Sequence, residues 1–282
     1  MPIPVFDIVL PTLQDSDLQQ STLLIEIGER QVSFIWFKKN NRQLLKLQQF
    51  HFQGSAGWPP IDWLQDVLAI EPSFIESIKE AVVVYNLPEC QLIPGSSFNF
   101  EFNKPLIETL CGNAPKGLVL SEKIQGKDIY SIYRIPRELH GLIQKSFVSG
   151  KYWHFYSLLL QTGPNTAAGT PCIQTVFFQD MFVAAFYGSD GLKLLQTYNY
   201  QQPEDVSWIL LHACQQFNID SGSVVLELGG LIENNSALFK ELEKYFGNIV
   251  WNEVSTSDWA NEELEAQPLH YFSPILKMAL CV

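Results

Sequence analysis

The sequence has no C-x-x-C pair, no cluster of Lys and Arg, and no apolar run of membrane-spanning length. Each absence argues against a class of function. The five cysteines (Cys90, Cys111, Cys172, Cys214, Cys281) are scattered and odd in number. That argues against a zinc site or a disulfide framework and leaves free thiols in a reducing cytosol as the expectation. Eighteen Lys and Arg against 30 Asp and Glu give a net charge of −12, so neither nucleic acid nor an anionic membrane is expected as a partner. A membrane span needs about 20 apolar residues in a row, so no membrane insertion is expected. The apolar start MPIPVFDIVLP contains Asp7, and no Lys or Arg precedes Arg30, so a signal peptide would lack its basic region. The G-x-x-x-x-G-K-[ST], H-E-x-x-H, G-x-S-x-G and G-x-G-x-x-G patterns do not occur. The five histidines (His51, His140, His154, His212, His270) show no ligand spacing. The expectation is a cytoplasmic protein with no metal.

What is present is apolar and aromatic: 46% hydrophobic residues, with 19 Phe, 10 Tyr and 7 Trp. A chain of 282 residues is long enough for two lobes and a large core. Residues 1–20 read as a polar, loosely ordered leader. Three β-like runs follow at Thr22–Gly28, Val32–Phe37 and Leu44–Phe52, the last alternating apolar and polar as a half-exposed strand does. Helical segments are expected from Pro59–Pro60 and again from Pro72, with Phe74, Ile75 and Ile78 on one face. The strand Ala81–Tyr85 comes next, followed by less regular elements over about 87–135. A helix then runs from Pro136 to Phe147. The Gly-, Pro- and Thr-rich loop at 161–171 is the expected lobe boundary.

After that loop the first pattern returns. Strands are expected at Ile173–Phe178, Phe182–Tyr187 and Leu192–Tyr200. An amphipathic helix Pro203–Phe217 then places Val206, Ile209, Leu210, Ala213, Cys214 and Phe217 on one face, with His212 on the polar side. The stretch SVVLELGGLIENNSALFKELEKYF (223–246) reads as a strand, a Gly229–Gly230 turn, and a helix opened by Asn234 or Asn235. Ile249–Val254 closes with a strand. Three antiparallel strands followed by helix, strand and helix, done twice, describe an α/β protein of two ribonuclease-H-like lobes. Each lobe has a mixed five-stranded sheet flanked by helices, and the lobes face each other across a cleft. This organisation resembles the actin and hexokinase superfamily, the actin-like ATPase fold. The expected division is 1–20, then 21–160 with an inserted subdomain at about 87–135, then 161–282.

The resemblance implies three loops that would carry nucleotide chemistry. In the first lobe a D-x-G is expected, with an Asp toward a metal and backbone amides toward phosphate. The matching residues here are Glu26, Ile27 and Gly28. Glu29 adds negative charge where a phosphate would approach, and like charges are costly in a low-dielectric cleft. In the second lobe, aligning Val32 with Val183 puts Phe177 opposite Glu26, with Asp180 close by but lacking a companion glycine. An apolar residue at that place argues against phosphoryl transfer, which depends on a metal and on exact positioning. The third loop is Gly229–Gly230, matching the glycine pair that contacts adenosine in the superfamily.

Five stretches carry a closer resemblance: LLIEIGERQVSF (23–34), AVVVYN with QLIP after it (81–94), IYSIYRIPREL (129–139), YWHFYSLLL (152–160) and PLHYF (268–272). On these the chain resembles an uncharacterised bacterial family, found mainly in Bacteroidetes, of unknown function and actin-like ATPase fold. More distantly it is similar to the actin-like scaffolds of type IV pilus and type II secretion systems. The resulting expectation is a cytoplasmic binding or scaffolding module with degenerate phosphate loops, a protein partner and no cofactor. The alternative is a divergent ATP-binding protein or ATPase. In it Gly229 and Gly230 would hold adenosine while Glu26 and Asp180 approach Mg²⁺.

Overall fold

The computed structural model describes residues 2–54, 58–70, 78, 80–167, 169–254, 259 and 261–282. The helix expected from Pro72 falls on residues outside that set. The chain divides into two compact units. The first is Met1–Thr162 with Thr256–Ala266 and Met278–Val282; the second is Gly163–Ser255 with Gln267–Lys277.

Among the described residues the first unit holds nine strands: β1 (Phe6–Val9), β2 (Thr22–Gly28), β3 (Gln31–Lys38), β4 (Gln43–His51), β5 (Glu80–Asn86), β6 (Cys90–Pro94), β7 (Gly117–Lys123), β8 (Ile129–Pro136) and β9 (Lys151–His154). One sheet runs β1-β4-β3-β2-β5-β9, and a smaller one runs β6-β8-β7. In the large sheet β2, β3 and β4 form an antiparallel meander, and β5 and β9 lie parallel to β2. Every residue of β2 is buried, as expected of a strand covered on both faces. The five-stranded core gains a sixth strand from residues 6–9, which the sequence alone places in a leader. Their pairing partner, β4, is distant in sequence and leaves no local signal. That pairing makes β4 an interior strand, so its polar residues are buried too. Lys46 and Gln48 are each 4% exposed, and the Lys46 ammonium sits 5.7 Å from the Trp36 ring centre. The half-exposed reading of this strand is therefore corrected. The small sheet and the helix Asn103–Cys111 lie between β5 and β9 in the chain.

The second unit repeats the core. Strands β10 (Cys172–Phe177), β11 (Met181–Gly188), β12 (Gly191–Asn199), β13 (Val225–Gly230) and β14 (Asn248–Trp251) run in the order β12-β11-β10-β13-β14. Again three strands are antiparallel, and the last two are parallel to the first. Side chains alternate across a strand, so Phe182, Ala184, Phe186, Leu226 and Leu228 share one face. They pack there with Val206, Leu210, Ala213 and Cys214 of the helix Pro203–Gln216 and with Leu238 and Leu242 of the helix Ala237–Glu243. A reciprocal capping box of Gln202 and Asp205, with Pro203 in the first turn, starts the longer helix. The closing strand stops at Trp251 instead of Val254, and two boundaries around the glycine pair also differ from the sequence reading. Gly229 and Gly230 end the strand instead of forming the turn. Ser236, whose side chain accepts the Phe239 N–H at 3.1 Å, caps the following helix in place of Asn234 or Asn235.

Candidate functional site

In the first unit Glu26 lies on β2, two residues before the strand ends at Gly28, and is 3% exposed. Its carboxylate accepts hydrogen bonds from Gln31 Nε2 (3.1 Å), Ser33 Oγ (3.2 Å) and Asn86 Nδ2 (2.8 Å). Burial raises its pKa, and these three donors pull the other way. All three donors are residues of the same sheet, so the carboxylate ties β2 to β3 and β5. Gly28 ends β2 and is followed by the two-residue turn Glu29–Arg30. It does not have a positive φ, and an added Cβ would meet nothing nearer than 3.5 Å. The local fold therefore does not demand glycine at 28.

The equivalent turn of the second unit is Gln179–Asp180, between β10 and β11. Pairing registers correct the alignment by one residue. Ile27 pairs with Val32 at the mouth of one hairpin, and Phe177 with Phe182 at the mouth of the other. Counting back, Val176 stands where Glu26 does, and counting forward, Phe178 stands where Gly28 does. Both are buried, at 2% and 7% exposure. Asp180 matches Arg30 in position, and its carbonyl accepts the Tyr200 N–H at 3.0 Å. This hairpin has neither the carboxylate nor the glycine of a phosphate turn.

Gly229 and Gly230 are explained by their own chain. Gly230 has φ +79°, a backbone conformation that favours glycine. A Cβ there would lie 2.2 Å from the Phe177 carbonyl oxygen and 2.8 Å from its nitrogen. A Cβ on Gly229 would sit 3.1 Å from Pro274 Cγ and 3.2 Å from Asn252 Cβ. Just beyond, Ile232 is buried, and its carbonyl accepts from His270 Nε2 at 2.7 Å. The His270 ring stacks on Trp251 at 4.1 Å.

Two polar clusters were not singled out from sequence. In the second unit Glu227 of β13 is fully buried, on the face of the sheet opposite Leu226 and Leu228. It accepts from the Asn165 N–H (2.7 Å), from Gln174 Nε2 (3.3 Å) and from Asn252 Nδ2. Lys277 donates to Asn165 Oδ1 at 2.8 Å and also to Asn252. Burial raises the Glu227 pKa and lowers that of Lys277. In the first unit Glu122 of β7 accepts the His154 backbone N–H (2.8 Å) and the Tyr133 hydroxyl (3.2 Å). Burial pushes the Glu122 carboxyl up to about 7 and the His154 imidazole down to about 4. The only signal for either cluster is an isolated carboxylate inside an apolar strand.

The first unit also contains a pocket of about 190 Å³, with apolar walls from Trp58, Leu87, Pro88, Ala114, Ile135 and Pro136. Arg134 fixes its shape. The guanidinium forks onto both Glu89 carboxylate oxygens and also donates to the carbonyls of Gly112 (2.6 Å) and Cys111 (3.2 Å). It thereby joins the segment after β5 to the end of the helix Asn103–Cys111. Gly117 is required beneath it, since a Cβ there would come within 2.6 Å of Arg134 Cδ.

Residues 11–249 match the family described as "Protein of unknown function (DUF3822)". The chain belongs to that family. Among solved structures it is similar to a Bacteroides thetaiotaomicron protein with an actin-like ATPase fold and unknown function, at TM-score 0.74 and 15% identity, covering 90% of this chain and 98% of the other. It is also similar to a chain of the PilM–PilN type IV pilus biogenesis complex, at TM-score 0.61 and 11% identity, covering 92% and 98%. These likenesses show an actin-like ATPase fold, in agreement with the repeated sheets of this DUF3822 member. No curated protein matches the sequence. Among the described residues no group of His, Cys, Asp and Glu is placed to hold a metal ion, and no helix is long and apolar enough to cross a membrane.

Proposed function

We propose that this member of DUF3822 is a non-catalytic binding or scaffolding module that keeps the actin-like ATPase fold without turning over nucleotide. The observation that carries this reading is the state of the two turns. Glu26 is enclosed by three donors of its own sheet, and buried Val176 and Phe178 hold the corresponding places in the second unit. Transfer of a phosphoryl group depends on a metal and on charge placed against the phosphates, and neither turn offers that. A protein partner is the natural ligand of such a scaffold. A fold neighbour, PilM, was solved in complex with PilN. Residues 21–160, with an insertion at about 87–135, and residues 161–282 are taken as the two lobes of the scaffold. The five free cysteines suit a reducing cytoplasm.

One observation favours a second reading, an ATP-binding protein. Gly28 is not needed by its surroundings, and close approach of a ligand to the backbone would be a reason to keep glycine there. A thermal-shift series with ATP–Mg²⁺, ADP–Mg²⁺ and no nucleotide separates the two. A site filled at 100 times its dissociation constant adds about 2.7 kcal/mol of stability. The scaffold reading expects no shift at millimolar nucleotide. A saturable shift that Gly28→Ala removes, with unliganded stability unchanged, would establish the second reading.

A further inference from the structure

The two units repeat one meander down to its irregularity. The β3–β4 register shifts between Trp36 and Phe37, and the β11–β12 register shifts between Phe186 and Tyr187. Trp36 lies as far beyond Val32 as Phe186 lies beyond Phe182, so the two shifts coincide. Phe50 of β4 then corresponds to Tyr198 of β12, Gln48 to Gln196, Leu47 to Leu195 and Leu45 to Lys193. The two strands differ in what lies beyond them. β4 is covered by β1, which runs antiparallel with Ile8 opposite Leu47, and the Leu10 N–H donates to the Leu45 carbonyl at 2.8 Å. Among the described residues β12 ends its sheet. Gln48 is 4% exposed, whereas Gln196 at the same place is only half-buried.

A long open edge is a template for another strand. β12 runs 9 residues, Gly191–Asn199, which is ample for pairing, since the covering strand β1 has only 4. Backbone direction alternates along a strand. Leu45 and Leu47 turn their backbone groups toward β1, so Lys193 and Leu195 turn theirs outward from β12. The bulge is no obstacle, because Leu45 bonds to β1 from the same place beside it. Proteins commonly protect such edges with charge or proline. β12 has no proline, and its one charged residue, Lys193, is turned onto Asp190 at 2.7 Å.

We propose that β12 pairs antiparallel with β12 of a second copy of this chain, joining two five-stranded sheets into one continuous sheet. The first unit shows what such an edge accepts, which is an antiparallel strand. A strand with an open backbone edge is its own complement about a two-fold axis, and closed two-fold dimers are the commonest oligomers. The longest overlap sets the axis at Leu195, the midpoint of Gly191–Asn199. Lys193 then faces Thr197 of the second copy. Charge favours this patch for self-contact: the chain carries a net charge of −12, yet β12 has no acidic residue. The pairing is independent of whether nucleotide binds.

Sedimentation equilibrium of the full chain, with amide hydrogen exchange at Leu195 read by NMR over the same concentrations, tests the pairing. The expected result is a monomer–dimer equilibrium with a dissociation constant of about 100 μM or below, and exchange at Leu195 that slows as the dimer forms. Thr197→Lys sets like charges opposite each other on both sides of the axis and should weaken the dimer at least about threefold. Thr197→Glu faces Lys193 of the second copy and should tighten it by a similar factor. Both variants lose the same hydroxyl, so a local folding defect would move them in the same direction. If neither folds, exchange at Leu195 in the wild-type chain decides. A chain that stays monomeric up to about 500 μM, a dimer that both substitutions affect alike, or a dimer in which Leu195 exchanges as in the monomer would overturn the proposal.

Discussion

Phe177 occupies the space that a side chain at position 230 would need. An added Cβ on Gly230 falls 2.2 Å from the Phe177 carbonyl oxygen, and the Leu231 N–H donates to that same oxygen at 2.8 Å. Gly230 of β13 is therefore explained by the close approach of β13 to β10. Gly230→Ala should cost roughly 3 kcal/mol or more of folding stability, from the left-handed backbone and the collision together. Gly229→Ala, whose Cβ would press only on the Pro274 and Asn252 side chains, should cost less. Urea denaturation of both variants checks the order. Equal stability of Gly230→Ala and wild type would remove the structural explanation.

Glu26 offers a sharper discrimination. A carboxylate held ready for a metal is commonly replaced at little cost to stability, or with a gain. A carboxylate that satisfies three buried donors is not, because its loss leaves Gln31, Ser33 and Asn86 with unpaired groups. Glu26→Ala should therefore destabilise the protein by about 2–4 kcal/mol. A change below about 0.5 kcal/mol would point back to a functional role.

The Glu122–His154 contact gives a pH signature with two opposing arms. The folded Glu122 carboxyl titrates at about 7, above its usual 4.5, so its contribution is fully present below pH 4.5 and is lost as pH rises to 7. The folded His154 imidazole titrates at about 4, below its usual 6.5. Its contribution is present above pH 6.5 and is lost as pH falls to 4. Between about 4.5 and 6.5 the two slopes oppose each other. Glu122→Gln removes the first arm, so the variant should gain on the order of 2 kcal/mol relative to wild type between pH 4.5 and 8. It should also lose stability more steeply below pH 6.5. Parallel stability curves for the two proteins would refute the assignment.

In the second unit, Lys277→Met should leave Glu227 buried without its nearby ammonium. A loss of about 3–5 kcal/mol is expected at pH 8. Part of that loss should be recovered by acidification, as the Glu227 carboxyl takes a proton. A pH-independent loss would contradict a role for the Lys277 charge in holding the Glu227 carboxylate ionised.

Much of the fold is legible in the residues because its strands are unusually pure. TLLIEIG, AVVVY and the paired runs on either side of 179–180 state their length and burial directly. The same three-strand meander written twice specifies the topology. What the sequence conceals is tertiary. Nothing in PVFDIV marks it as an edge strand for β4, and the Arg134–Glu89 fork joins residues 45 apart in the chain. Glycines at 28 and 230 look alike in sequence, yet the backbone of β10 requires one and nothing around β2 requires the other. The slip of one residue between the hairpins was equally invisible. Val32 and Val183 invite alignment, and only the pairing register shows that Phe182 is the true counterpart.

The central claim, a retained ATPase fold without a working nucleotide site, is met most directly by calorimetric titration of ATP–Mg²⁺ into the full chain. The account predicts no saturable heat up to millimolar nucleotide, for the wild-type chain and for Gly28→Ala alike. A one-to-one isotherm with a dissociation constant below about 0.1 mM, abolished by Gly28→Ala while the variant stays folded, would contradict it.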